Sequence, residues 1–183
     1  MPHLPREVGD PTAATLAATV APTRAKGEYD KAIADGTEAI RLNPKDTNAY
    51  TSRGIAHRKK GDFEKSVADY SEAIRLNPKS AKAYFSRGLA YGDNGETSKA
   101  LADYTEGIRL NPNDPMGYCS RGYVLGIKGD FDKAILDLTE AIRLDPKFAL
   151  AYSRRGRVYQ KKGDQAKADE DFATAKELGY KPQ

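Results

Sequence analysis

From residue 47 onward, apolar and small residues recur at helical spacing. Tyr50, Gly54 and His57 follow one another at steps of four and three, and Gly61 then interrupts the run. Phe63, Val67, Tyr70 and Ile74 continue at steps of four, three and four. Both runs have the spacing of an α-helix face, and neither shows the alternation of a strand. Gly61 suits the left-handed residue that ends a helix, and Lys59 and Lys60 suit the negative end of its dipole. Asp62 stands where an N-cap belongs. The second run should stop before Asn77-Pro78, because proline disfavours helical backbone in the residue before it. Residues 47–80 therefore predict helix, tight turn, helix.

This unit recurs. Pro44, Pro78, Pro112 and Pro146 are each 34 residues apart. Gly27, Gly61, Gly95, Gly129 and Gly163 keep the same step, as do Arg53, Arg87, Arg121 and Arg155 and the glycine after each. A fixed period of this size predicts a solenoid, in which each unit buries its apolar face against its neighbours.

The pattern resembles the tetratricopeptide repeat. Placing the proline at repeat position 32 gives repeats at 13–46, 47–80, 81–114, 115–148 and 149–182. Position 4 is then Tyr50, Tyr84, Tyr118 and Tyr152, and position 8 is glycine in repeats two to five. Position 20 is Ala32, Ala100, Ala134 and Ala168, with Ser66 the exception. Position 24 is Tyr70, Tyr104, Leu138 and Phe172, and position 27 is Ala39, Ala73, Gly107, Ala141 and Ala175. The usual leucine at position 7 is replaced by arginine in all four complete repeats. The resemblance covers residues 27–183 closely. It implies an all-α fold: a right-handed α-solenoid of helix-turn-helix repeats, with a concave groove lined by the first (A) helix of each hairpin.

The ends of the array differ. Positions 21 and 28 are Ile33/Ile40, Val67/Ile74, Leu101/Ile108 and Ile135/Ile142 in the first four repeats, but Asp169/Lys176 in the fifth. The apolar pairs are expected to be buried by the following repeat, and the charged pair to form a solubilising cap that completes the array. In the first repeat Pro22 falls inside the would-be A helix and is expected to break it. Gly36 replaces the large residue of its B helix. We therefore expect residues 1–26 to be a ragged or partly disordered leader with a degenerate first helix, and residues 27–183 to form the solenoid. Helix B of repeat one should be real from about residue 28 to 42.

Composition fits a thin, solvated array. Hydrophobic residues are 39%, charged residues 31%, and mean hydropathy is −0.72. The net charge of +4 is a weak pointer to anionic partners and no nucleic-acid signature. One cysteine excludes an internal disulfide, and two histidines beside it leave little for a zinc site, so no metal or cofactor is expected. No apolar run approaches the roughly 20 residues of a membrane span. Residues 12–21 are apolar, but the stretch before them is proline-rich and sets Arg6 against Glu7 and Asp10, so it is not net positive and would make a poor export signal. A cytoplasmic location is the expectation.

Catalytic constellations are missing. There is no Gly-rich phosphate loop and no metalloprotease motif. His57 stands where Tyr91 and Tyr159 stand elsewhere and reads as a packed imidazole. Cys119, on the groove side, reads as a small packing or contact residue. The chain is read as not an enzyme. The position-7 arginines invite a phosphate reading, but position 23 is aspartate in every repeat. In the hairpin the two positions stand at about the same height and project to the same side. Arg53–Asp69, Arg87–Asp103, Arg121–Asp137 and Arg155–Asp171 are therefore expected to pair within each repeat.

The resemblance places positions 2, 5, 6, 9, 12 and 13 of helix A on the concave face. Phe85, Leu89, Met116, Tyr123, Ile127 and Leu150 then form an apolar middle, joined by Ile55, with Arg58 and Lys59 on one side and Arg154, Arg157 and Lys161 on the other. Net charge by repeat agrees: +3 for residues 47–80 and +3 for 149–183, against −1 and 0 between them. The Lys/Asn clamp with which some family members hold a partner's C-terminal carboxylate is absent, since the matching positions are Thr51, Ile55 and Ser86 in one pair of repeats and Phe85, Leu89 and Ser120 in the next. The leading expectation is a non-enzymatic scaffold or adaptor binding an extended peptide or partner helix in this groove. One alternative is homo-oligomeric self-assembly through the N-terminal hairpin. Another is an RNA or anionic-polymer binder, disfavoured because the groove aromatics are central whereas the basic residues are terminal.

Overall fold

A computed structural model describes the backbone of residues 13–181 and the side chains of residues 27–181. Among the described residues there are nine helices and no strand: α1 (Ala13–Leu42), α2 (Thr47–Lys60), α3 (Phe63–Leu76), α4 (Ala81–Asp93), α5 (Thr97–Leu110), α6 (Pro115–Lys128), α7 (Phe131–Leu144), α8 (Ala149–Lys162) and α9 (Gln165–Glu177). Helices α2 to α9 form four hairpins at the predicted step.

Local chemistry sets the helix ends. The side chains of Asp46, Ser80 and Asp114 accept hydrogen bonds from backbone N–H groups at the start of α2, α4 and α6. Gly61 closes α2 with φ +89°, a left-handed conformation that a side chain would strain. Asp62 occupies the N-cap position of α3 but makes no capping bond. Its Oδ2 lies 3.4 Å from Nδ1 of the buried His57, so the histidine packs against the turn.

Each helix packs on the one before it, and the A helices also touch one another: α2 on α4, α4 on α6, and α6 on α8. The B helices α3, α5, α7 and α9 make no such contact with one another. The stack is thus curved with its A helices inside, which places the concave wall on α2, α4, α6 and α8. Between the two layers lie the small and aromatic positions. Ala100, Ala134 and Ala168 are fully buried, and so are Tyr70, Tyr104 and Leu138. A methyl group added at Gly54 would lie 3.0 Å from the Tyr70 ring, so the glycine is what lets α2 and α3 close. Ser66, in the place of the usual alanine, donates its hydroxyl to the Gly54 carbonyl at 2.8 Å.

Three expectations are corrected. Helix α1 does not break at Pro22 but runs through it to Leu42 as one element. Proline's fixed φ is itself helical, so a helix can pass through it at the cost of one hydrogen bond and a local kink. The expected leader, residues 1–26, contributes only the backbone of the first part of α1, and the side chains of Leu16, Thr19, Val20 and Thr23 lie outside the described residues. Second, Ile33, Val67, Leu101 and Ile135 are half-buried, not buried. The following A helix covers position 28 more closely, as at Ile74 and Ile108. Third, Gly36 has not lost its packing: it is buried, and a Cβ there would meet Arg53 Cβ at 2.9 Å. Its bareness admits Arg53 of α2 against α1. At the other end Asp169 and Lys176 are exposed.

Candidate functional site

The four position-7 arginines each hold their aspartate with two parallel bonds. Arg53 donates Nε to Asp69 Oδ2 at 2.9 Å and Nη2 to Oδ1 at 2.7 Å. The distances are 2.7 and 2.8 Å for Arg87–Asp103, 2.7 and 2.8 Å for Arg121–Asp137, and 2.8 and 2.7 Å for Arg155–Asp171. The aspartates are buried, and their hydrogen bonds hold each guanidinium pKa above its ordinary value.

The remaining Nη1 reaches back one repeat. It donates to the hydroxyl of Thr37, Ser71, Thr105 and Thr139 from Arg53, Arg87, Arg121 and Arg155, at 3.0–3.2 Å. Each arginine therefore clips its own hairpin and ties it to the previous one. The hydroxyls recur at the 34-residue step, and the fifth copy, Ala173, lacks one. That signal was present in the sequence but is readable only once the partner is known.

The concave wall carries two adjoining clefts. The first, about 340 Å³, lies between α4 and α6 and is lined by Leu89, Asp93, Ser120, Tyr123, Ile127 and Arg154. The second, about 230 Å³, continues between α6 and α8 past Tyr123, Ile127, Arg154, Arg157 and Lys161. Tyr123, Ile127 and Arg154 belong to both, so the two form one path. Tyr123 is 42% exposed and Ile127 57%, high values for large apolar side chains. The Arg154 guanidinium lies 4.4 Å from the centre of the Tyr123 ring, within cation–π range. Its Nη1 also donates to the Cys119 carbonyl at 3.2 Å and lies 3.3 Å from Cys119 Sγ.

Other expected groove residues go elsewhere. Phe85 is half-buried and turns into the wall, its ring against Gly107 of α5 and Gly117 of α6. Leu150 is half-buried against the core around Leu138 and Ala151. Met116 and Ile55 are exposed but line neither cleft. Cys119 is fully buried beneath Arg154 and is not on the open groove; burial pushes its thiol pKa up, against the pull of the guanidinium. Arg58 is not a free cation either, because its Nη1 donates to Asp93 Oδ2 at 2.6 Å across to α4. At the α2 end only Lys59 is left without an ion pair among the described residues, whereas at the α8 end Arg154, Arg157 and Lys161 all are.

Models of the TPR repeat match residues 23–61, 54–95 and 127–163, and further models of the tetratricopeptide repeat match 81–114, 103–136 and 149–178. The chain belongs to the tetratricopeptide repeat family. Its helical repeats are those of a protein-interaction module. A search of curated proteins finds no sequence match. Similar solved structures include MamA, 27% identical over 85% of this chain and 91% of that one, with a TM-score of 0.75. TTC0263, a thermophilic TPR protein of Thermus thermophilus, is 23% identical over 87% of each chain, with a TM-score of 0.71. YrrB, described as a TPR protein with an unusual peptide-binding site, is 22% identical over 91% of this chain and 82% of that one, with a TM-score of 0.69. No helix among the described residues is long and apolar enough to cross a membrane.

Proposed function

We propose that the chain is a non-enzymatic adaptor whose concave face holds a segment of a partner protein, apolar where it meets Leu89, Tyr123 and Ile127 and acidic where it meets α8. One observation carries this reading. Nine described arginines (41, 53, 58, 75, 87, 109, 121, 143 and 155) hold a carboxylate within 4.0 Å. Arg154 and Arg157 have no such partner among the described residues, and both line the cleft of Tyr123 and Ile127. A surface that otherwise neutralises its guanidinium groups leaves two beside an exposed apolar patch, and that suits a ligand bringing its own carboxylates. A pre-formed wall of packed helices lowers the ordering cost of binding on the protein side.

Selection from a random peptide display library on the full chain tests this. Enriched sequences should combine aromatic or aliphatic residues with Asp or Glu on one side, and Tyr123→Ala and Arg157→Ala should each weaken them. Absence of enrichment, together with RNA binding of steep salt dependence, would instead favour the anionic-polymer reading.

A further inference from the structure

We propose that a second cleft, at the α9 end of the array and sharing only Arg157 with the concave wall, is a docking site for an acidic amphipathic helix of a partner protein. The cleft is about 620 Å³. Phe172, Ala175 and Tyr180 form its apolar part, and Arg157, Lys176 and Lys181 its charged part. None of these three cations has an ion-pair partner among the described residues.

The rest of the molecule displays what fills such a cleft. One repeat earlier, the equivalents of Phe172 and Ala175 are Leu138 and Ala141, and α8 closes over them with Ala151 fully buried in the same cluster. One repeat before that, Ile108 is closed by α6, where Gly117 comes so near that a methyl group on it would stand 3.2 Å from Ile108 Cγ1. In the first complete hairpin, Ala73 and Ile74 are closed by Ala83 of α4. Each cleft of this kind receives a helix, presenting a small residue at the point of closest approach. Helices α8 and α9 form the next hairpin at the same 34-residue step.

Charge distinguishes the last cleft from the others. Where the α7 cleft has Ile142, this one has Lys176, and where α6 has Tyr123, α8 has Arg157. Another apolar A helix would leave these cations facing an uncharged surface. A helix with a stripe of Ala or Gly, flanked a turn away by Glu or Asp, would satisfy both the floor and the rim. This chain's own A helices do not meet that description: α2, α6 and α8 contain no acidic residue, and the one in α4, Asp93, is held by Arg58. In α1, which does carry acidic residues, Gly36 is already packed against Arg53, and Asp30 and Glu38 are paired with Lys60 and Arg41. The charged rim therefore matches an acidic helix of a partner protein better than another copy of this chain.

Three labelled synthetic helices of about 16 residues, near the length of the A helices, serve as probes on the full chain by fluorescence anisotropy. One carries an Ala stripe flanked by Glu, the second the same stripe flanked by Lys, and the third the Glu composition with the stripe scrambled. The Glu helix should bind and the other two should not. Lys176→Glu with Lys181→Glu, both at exposed positions, should weaken it by about tenfold or more, and Tyr123→Ala by less than about twofold. The proposal is overturned if no probe binds, if the scrambled helix binds as well, or if the double charge reversal has no effect. Loss of binding with Tyr123→Ala would move the probe to the concave groove and also overturn it. Sedimentation showing self-association that the charge reversal abolishes would assign the cleft to a second copy instead. Arg157 lines both clefts, so the two sites are told apart by Tyr123→Ala, which reads the concave wall, and by the Lys176/Lys181 reversal, which reads the α9 cleft.

Discussion

Arg154 of α8 lies over the ring of Tyr123 of α6, guanidinium carbon to ring centre 4.4 Å. The exposed ring and the guanidinium, which has no carboxylate partner among the described residues, therefore form one unit, not a centre and a distant end. Tyr123→Ala should cost about 1–3 kcal/mol of binding to a selected peptide, as for a central aromatic contact. Arg154→Ala should also weaken binding, but the double variant should lose less than the sum, with a coupling of about 0.5–2 kcal/mol. Isothermal titration of the four proteins against one peptide measures this. Strict additivity would mean the stacking has no part in recognition.

The arginine clip should matter more for stability than for binding. In Arg87→Ala the buried Asp103 loses both its bonds and Ser71 loses its donor. Breaking a largely buried pair by removing one partner should cost about 3 kcal/mol in denaturant unfolding. Ser71→Ala should cost about 1.5 kcal/mol, the low end for one hydrogen bond to a charged group at a partly buried site. Ala173→Thr should change nothing by this route, because no arginine in the described residues reaches α9 from a further repeat. Equal effects at positions 71 and 173 would refute the inter-repeat role.

Much of this architecture is legible in the sequence, and the parts that are not share a physical cause. The hairpins follow from helical spacing broken by Gly61 and Asn77-Pro78. The Arg–Asp pairs follow from equal height within one hairpin. Both depend on geometry inside a single repeat. Arg58–Asp93 and the Arg87–Ser71 link cross between repeats, and the 34-residue period alone does not say which side chains meet there. Phe85 shows a second reason. Its repeat position gives the face of α4 on which it lies, but whether a side chain at the edge of that face turns outward or inward depends on the room its neighbours leave. At Pro22 the propensity argument treats the residue as a helix breaker, whereas α1 passes through it.

Cys119 should resist thiol reagents in the folded protein and ionise late. Burial raises its pKa, with the Arg154 guanidinium opposing. A raised folded-state pKa means the unfolded thiol loses its proton first as pH rises. The stability this group contributes is full below the unfolded thiol's pKa of about 8.5 and is lost as pH rises from there through the folded value. Reaction with a chromogenic disulfide at pH 8 should therefore be slow natively and fast in denaturant. Arg154→Ala should speed the native reaction by uncovering the sulfur. Rapid native labelling of the unaltered protein would contradict the buried position.

Phe85 is the large outlier at its position, where Thr51, Cys119 and Ser153 stand in the other repeats. The two residues it meets are small to match: Gly107, where the other repeats have alanine, and Gly117, where they have Ala49, Ala83 and Ala151. A methyl group on Gly117 would come within 2.7 Å of two ring carbons of Phe85 and 3.2 Å of Ile108 Cγ1, and one on Gly107 would overlap the same ring. Ordinarily Gly→Ala in a helix stabilises by about 1 kcal/mol. Here the overpacking should dominate, so Gly117→Ala should destabilise by about 1–3 kcal/mol. In a Phe85→Ser background, which restores the residue of repeat five, the same change should revert to stabilising. Chemical denaturation of the four variants reads the sign directly. If Gly117→Ala stabilised the protein with Phe85 in place, the ring would have to have another site, most simply the open groove in which its repeat position puts it.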